Sequence, residues 1–333
     1  MLEIDGADGG GQIVRTAVSL SALSGEAVRI EDVRGDRDEP GLRAQHVAAV
    51  EAAASLCDAS VEGLEQGAEA LVFEPGELEA KDVSVAVGTA GSVALVFDTV
   101  LPLAAGLDEP AEVTVTGGTD VLWAPPIDYL RRLKLPLLSE YGLDADLSVE
   151  SRGFYPLGGG EATLTLRPSA LSPLALDERG ALRRVEVYST ADEELRDAEV
   201  AERQAAAVAE GLDVDVSVAT LSTYDDADSP GSAVVLAAVY EGGRAGFSAL
   251  GEAGKPSEQV GSEAVEAFQG FRDGSAAVDR HLADQLQVHL ALAGGRVLAP
   301  AATDHVETNR EVVAAFGYDV TVEERAEGVL LEG

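Results

Sequence analysis

One order of elements recurs three times along this chain, and it limits the possible folds more than any single motif does. The order is helix, strand, loop, helix, strand, strand. Its first helix closes each time on small residues and glycine: SLSALSGE at 19–26, VLPLAAGL at 100–107 and HLALAGGR at 289–296. Recurrence of one supersecondary unit reads as duplication, because such a unit cannot bury its apolar face alone and must stack on its copies.

The first copy opens with a short strand at 2–4 and a helix at 12–23, whose apolar residues fall at helical spacing. A strand at 27–33, a charged loop at 34–41, a helix at 42–57 and strands at 60–64 and 69–74 complete it. The second copy runs strand 82–87, turn GTAGS at 88–92, helix 93–105, strand 111–116, loop GGTDVLWAPP at 117–126, helix 127–141 and strands 145–150 and 161–167. The third supplies helix 277–293, strand 296–299, loop 300–304, helix 306–316 and strands 318–323 and 329–332. Residues 182–274 break the order, with strands near 184–189, 214–222 and 233–241 and helices at 198–212 and 257–269.

The expected fold class is therefore α/β (α+β). Three repeats of a two-helix, four-stranded α/β unit form a catalytic domain over 1–181 and 275–333, and a small α/β domain is inserted at 182–274. Pseudo-threefold symmetry places the loops 34–41, 117–126 and 300–304 at one end, where ligand sites commonly form.

At 333 residues and 46% apolar content there is material for a large core. No apolar run reaches the length of a membrane span and no charged-then-apolar leader opens the chain, so a soluble, cytoplasmic protein with no membrane partner is expected. The single cysteine, Cys57, excludes an intramolecular disulfide and a cysteine metal cluster. Acidic residues number 60 against 23 basic ones, a net charge of −37 spread along the whole chain. Self-repulsion of that size weakens a compact state in dilute buffer, and ~1 M salt, with a Debye length of about 3 Å, removes most of the penalty. The composition suits a halophilic protein in a salt-saturated cytoplasm. It also makes a poor general binder of nucleic acid, so an RNA site would have to be a local arginine cluster.

Residues 5–15, DGADGGGQIVR, read as strand, glycine turn and helix. Three glycines let a backbone or ligand approach closely, and the free N–H groups near Gly11 and Gln12 suit a phosphate. The turn, which also carries Asp8, matches neither G-x-G-x-x-G nor G-x-x-x-x-G-K-[ST], and a purely structural turn has the same appearance. Arg15, Arg34, Arg37 and Arg43 form the only basic concentration near it, either for bidentate phosphate contacts or for pairing with Asp36, Asp38 and Glu39.

Nucleotidyl transfer needs a nucleophile. None of Lys81, Lys134 and Lys255 sits in K-x-D-G, and no serine sits in G-x-S-x-G. Four histidines remain. His305 follows Thr303 and Asp304, good N-cap residues, and an imidazole at a helix N-terminus is favoured in its neutral, nucleophilic form; a surface histidine in a cap gives the same pattern. His281 shares a helix face with Asp284 and Gln285, suited to a metal or a ribose, or merely solvated. His46 adjoins the arginine loop, and His289 lies in an apolar helix as a structural residue.

The stretches DGADGGGQIVRTAVSLS, RGDRDEPGLRAQH, GTAGSVALVFDTVLP, GGTDVLWAPP, RGFYPLGGG, HLADQL and TDHVETN occur in one fixed order from residue 5 to about 310. In this the chain resembles the RNA 3′-terminal phosphate cyclase family. The resemblance implies three α/β repeats with an inserted domain and an ATP-dependent reaction: a histidine–AMP intermediate forms, AMP passes to an RNA 3′-phosphate end, and the neighbouring 2′-hydroxyl closes a 2′,3′-cyclic phosphate. It implies His305 as nucleophile, nucleotide contacts at Asp98 and along His281, Leu282, Ala283, Asp284 and Gln285, and phosphate- or RNA-holding roles for Arg15, Arg34, Arg37 and His46, with Asp8 and Gln12 beside them. Mg or Mn would screen the ATP phosphates. The chain departs from the family in a turn two residues shorter, with Asp8 where the family has Glu, and in Asp98 where some relatives have Gln. Glu39 stands where a relative carries a basic residue. Two other readings are a non-catalytic cyclase-like factor of ribosome assembly, which lacks the histidine, and an enolpyruvyl transferase, for which three lysines are too few.

Overall fold

A computed structural model describes all 333 residues. Three of its four sheets are built alike. In the first, β1 (Leu2–Asp5) runs parallel to β2 (Val28–Glu31), β4 (Leu71–Glu74) runs antiparallel to β2, and β3 (Ser60–Glu62) closes the edge. The second repeats this order and these directions with β5 (Val83–Ala86), β6 (Ala111–Gly117), β8 (Gly160–Leu166) and β7 (Ala145–Ser151). The third repeats them with β9 (Leu174–Leu176), β14 (Gly295–Ala299), β16 (Gly328–Glu332) and β15 (Thr321–Arg325).

A parallel pair needs a crossover, and each first pair has a helical one. α1 (Gly11–Ser24) joins β1 to β2, and α3 (Val93–Val100), prolonged by a 3-10 turn at Leu101–Ala105, joins β5 to β6. Between β9 and β14 the crossover runs from residue 177 to 294 and ends in α8 (Arg280–Ala293). β9 is absent from the sequence reading because three residues show no alternation. The second helix of each sheet is α2 (Ala44–Leu56), the rod 127–139 described below, and α9 (Asp304–Ala315).

The fourth sheet lies within that long crossover, in the order β11 (Ser217–Asp225), β10 (Leu182–Asp192), β12 (Ser232–Tyr240), β13 (Arg244–Leu250). β13 is a second strand the sequence alone does not show, since Gly246 interrupts its apolar pattern. β12 reads SAVVLAAVY and is buried throughout. Alternate residues point to opposite faces. Val234, Leu236 and Ala238 pack with Val260, Ala264 and Phe268 of α7 (Ser257–Arg272), beside α6 (Val200–Gly211), whereas Val235 and Ala237 enter the core shared by the repeats.

The sequence predicts one helix over 127–141. The structure instead has α4 (Ile127–Tyr129), a π turn at Leu130–Lys134 and α5 (Leu135–Ser139). Pro136 has no N–H for the carbonyl four residues back, and the ladder slips so that the Leu135 N–H donates to the Leu130 carbonyl. The slip leaves Lys134 buried. No helix is long and apolar enough to cross a membrane.

Candidate nucleotide and phosphate site

A cavity of about 500 Å³ opens where the three crossover helices α1, α3 and α8 meet. Gln12, Arg15 and Thr16 line it from α1, Leu95 and Asp98 from α3, and His281, Asp284, Gln285 and His289 from α8. His305 and Asn309 come from α9, residues 121–126 from the loop after β6, and Ser248 from β13. Side-chain bonds tie the helices together around it. Thr16 Oγ1 donates to Asn309 Oδ1 at 2.9 Å, Asn309 Nδ2 to the Asp284 carbonyl at 3.3 Å, and Gln12 Nε2 to Thr308 Oγ1 at 3.0 Å.

At the rim, Thr303 caps α9 by accepting from the Val306 N–H at 3.1 Å and donates its hydroxyl to Asp284 Oδ1. The other Asp284 oxygen faces His305 Nδ1 at 3.4 Å. The imidazole is therefore oriented by a carboxylate from a neighbouring helix, and its Nε2 edge is left free; about half the side chain is solvent-exposed.

The floor is different. Lys134 Nζ lies 2.8 Å from Asp98 Oδ1, with the lysine side chain 2% exposed. His289 is buried beside them, and neither ring nitrogen has a hydrogen-bond partner. Burial, reinforced by the Lys134 charge, holds its pKa down at about 3. Tyr129 donates its hydroxyl to Asp279 at 2.8 Å, and Asp279 also accepts from the N–H groups of His281, Leu282 and Gly246. This one carboxylate caps α8 and pins β13 to it; burial pushes its pKa upward.

The loop 117–126 is set from behind by Arg152, which is buried between Asp120 at 3.1 Å, Asp128 at 2.6 Å and Asp225 at 3.6 Å. Burial alone would lower the Arg152 pKa; Asp120 and Asp128 outweigh it and raise it. Lys134, Tyr129 and Asp279 lie in no motif, and Arg152 opens the stretch RGFYPLGGG without a role being assigned to it; the sequence shows none of the four as builders of the site. Only Pro136, two residues after Lys134, signals a break in the helix.

The structure sorts the predicted residues. His305, Asp98, His281, Asp284, Gln285, Gln12 and Arg15 share the cavity. Leu282 and Ala283 do not line it: they sit on the opposite side of α8, fully buried in the core, so three side chains of the expected run of five reach the cavity. Of the three loops expected to share a rim, only 117–126 lines the cavity; 300–304 reaches it through the Thr303 bond to Asp284, and neither it nor 34–41 contributes a lining residue. Loop 34–41 packs under the glycine turn instead. The Arg34 N–H donates to the Gly6 carbonyl and the Asp36 N–H to the Ala7 carbonyl. The Arg34 guanidinium is taken up by the carbonyls of Glu39 and Gly41, each at 2.9 Å. Arg43 pairs with Glu39. Arg37 and Asp8 are exposed.

His46 is buried directly beneath the turn, where a Cβ on Gly11 would come within 2.0 Å of its Nε2. That contact is why position 11 is glycine. His46 Nδ1 accepts from the Arg43 N–H at 3.0 Å, and burial, then Arg15, Arg34 and Arg43, depress its pKa to about 3.

Three stacked α/β units with a further sheet in the last crossover, and a carboxylate-held histidine at the mouth of a nucleotide-sized cavity, define an α/β-repeat protein with a histidine-bearing small-ligand site. The family model described as RNA 3′-terminal phosphate cyclase matches residues 7–322, and the chain belongs to that family. A Halobacterium salinarum protein named RNA 3′-terminal phosphate cyclase is 51% identical over 98% of both chains. Proteins of the same name from Ralstonia nicotianae and Archaeoglobus fulgidus are 44% and 41% identical, over 95% of this chain and 91% and 95% of their own. The family resemblance read from the sequence is borne out.

Proposed function

We propose that this chain converts an RNA 3′-terminal phosphate to a 2′,3′-cyclic phosphate at the expense of ATP, with His305 carrying AMP between the two. The carrying observation is the His305–Asp284 pair at the mouth of the cavity. With Nδ1 turned to the carboxylate, the Nε2 lone pair is the free nucleophile, and Asp284 steadies the charge that develops on the ring during attack. Nε2 forms a bond to the α-phosphorus and pyrophosphate leaves. The RNA 3′-phosphate oxygen then takes the phosphorus from Nε2. Attack by the 2′-hydroxyl on the activated RNA phosphate closes the ring and releases AMP.

The rest of the cavity supports the reading. Its volume lies within the range of small-ligand pockets. Leu95, Val121, Pro126 and Val288 offer an apolar wall to a base, and Asp98 and Gln285 offer polar contacts. Arg15 faces the phosphates, since Lys134, the other cavity cation, is bound to Asp98. No three His, Cys, Asp or Glu side chains converge into a metal cage. Mg²⁺ characteristically binds through one or two carboxylates together with substrate phosphates, and Asp284 is the cavity carboxylate not held by a lysine. A divalent ion bound there would supply charge screening for the polyphosphate.

The test is labelling with ATP carrying radioactive α-phosphate, in multimolar KCl with Mg or Mn. Wild type should take up label that is lost in acid and kept in alkali, as a phosphoramidate is. His305→Ala should lose at least ~10⁴-fold of it, the scale for removing a covalent nucleophile. Because His305 is exposed, that variant should fold normally. Equal labelling of the two proteins, or none on folded wild type, would overturn the mechanism and favour a non-catalytic RNA factor.

A further inference from the structure

The large apolar side chains left exposed are few, and they are not scattered. They are Met1, Leu122, Trp123, Tyr155, Leu157 and Leu221, and four of the six lie in two loops, 117–126 and 152–159. These loops are bound to each other. The Thr119 N–H donates to the Gly153 carbonyl at 2.8 Å, the Gly153 N–H to Thr119 Oγ1 at 3.0 Å, Arg152 reaches Asp120, and Asp120 bridges to Phe154. Leu122 and Trp123 stand at the edge of the cavity that holds His305.

Trp123 is the only tryptophan of the chain and is 94% exposed. Its backbone sits at φ +59°, a region that bulky residues avoid at a cost on the order of 1 kcal/mol or more. No burial of the ring offsets that cost. The ends of the loop are nevertheless fixed, on one side by Asp120 and on the other by the Ile127 N–H donating to the Thr119 carbonyl at 2.8 Å. A loop anchored at both ends thus holds an indole face in solvent beside the cavity that His305 lines.

Charge shows what such a face is for. With a net charge of −37 the protein repels a polyanion at long range, and strong salt, which removes the repulsion, also removes the gain from neutralising phosphates. Of the arginines beside the glycine turn, Arg34 and Arg43 are engaged within their own segment, which leaves Arg37 as the exposed one. Stacking of a base on an aromatic face depends on neither charge nor counterions. We infer that Trp123, in the loop bonded to the one that carries Tyr155 and Leu157, is a stacking platform for the terminal nucleobases of a single-stranded RNA 3′ end, holding that end at the cavity mouth. The inference rests on the proposed reading of RNA as the substrate.

Because Trp123 is the sole indole, tryptophan fluorescence of the full-length protein reports on it alone. The experiment is a titration in multimolar KCl with a short single-stranded oligoribonucleotide ending in a 3′-phosphate, against the same oligonucleotide with an abasic terminal nucleotide. Saturable quenching by the first is expected, with an affinity that changes little with salt, and binding about 5- to 100-fold weaker by the second, the scale of one lost base stack. Anisotropy of an end-labelled RNA should show Trp123→Ala binding the two oligonucleotides equally and Trp123→Phe restoring most of the preference.

Quenching by ATP alone and not by RNA would overturn the inference and assign the indole to the nucleotide. An equal preference for the terminal base in Trp123→Ala and wild type would overturn it as well. The underlying reading fails separately. A protein that never labels with ATP yet shows the base-dependent quenching keeps the platform and loses the cyclase mechanism; one that labels but is not quenched does the reverse.

Discussion

The floor and the rim of the cavity treat charge in opposite ways. On the floor Asp98 and Lys134 neutralise each other out of solvent, and His289 is kept uncharged by its surroundings. At the rim His305 has a carboxylate beside it but remains half open to water. A buried ion pair contributes little net stability, because desolvation offsets the attraction, yet removing one partner is expensive. The floor is thus a fixed surface against which a ligand can be registered. The rim holds a group that is oriented without being enclosed, as the proposed nucleophile, which must reach two successive substrates, requires.

Four substitutions, in three tests, would break or sharpen that contrast. The largest effect is expected from Lys134→Met, which leaves the Asp98 carboxylate buried and unpaired; denaturant unfolding should show a loss of about 3–5 kcal/mol. Adding Asp98→Asn should recover most of it. A single variant as stable as wild type would mean that the pair does not hold the floor.

Next is Asp284→Asn at the rim. The amide can still accept from Thr303, so stability should change by less than ~1 kcal/mol. Histidine labelling should nevertheless slow by about 10²-fold or more, since the imidazole loses its orienting charge. Equal loss of stability and labelling would place Asp284 with the floor.

The most gradual effect, smallest over any one pH unit, concerns pH. His289 has a folded pKa of about 3 against ~6.5 unfolded, so below pH ~6.5 the unfolded chain takes up a proton that the folded one refuses. Its contribution is full above that pH and falls as pH drops toward 3, by up to ~1.4 kcal/mol per unit. His46 acts in the same direction. His289→Leu should remove about half of this histidine-linked slope in unfolding curves at fixed high salt. An unchanged slope would show that His289 is not held neutral.

Much of the architecture was legible because it rests on periodicity. The three crossover helices and the strands β1–β8 announce themselves by spacing, and so does β12 by its unbroken apolar run. β9 and β13 were not legible, one being too short and the other cut by Gly246. The site divides along the same line. His305, Asp284 and His281 were visible through local pattern, a cap in one case and a shared helix face in the other. Leu282 and Ala283 belong to the same stretch, but helical rotation carries them into the core. Lys134 meets Asp98 across two helices, and Arg152 gathers carboxylates from three separate segments; no local signal encodes such meetings. Arg34 illustrates the converse. Its position beside a glycine turn suggests a phosphate ligand, and in the structure its Nη1 is committed to the loop's own carbonyls.

The long crossover between β9 and β14 has a consequence for synthesis. β9 emerges from the ribosome with its partner still unmade, and at ~5–20 residues per second the wait is roughly 5–25 s. The fourth sheet, whose strands all lie between residues 182 and 250, has every partner at hand during that interval. A waiting strand of three residues presents little edge to a wrong neighbour. The third repeat is therefore closed last, and the wall carrying Asp284 and His305 comes into being only as that closure occurs. A chain arrested anywhere in the insertion has its first two repeats but neither Asp284 nor His305, so under the proposed mechanism an incomplete product has no means of consuming ATP.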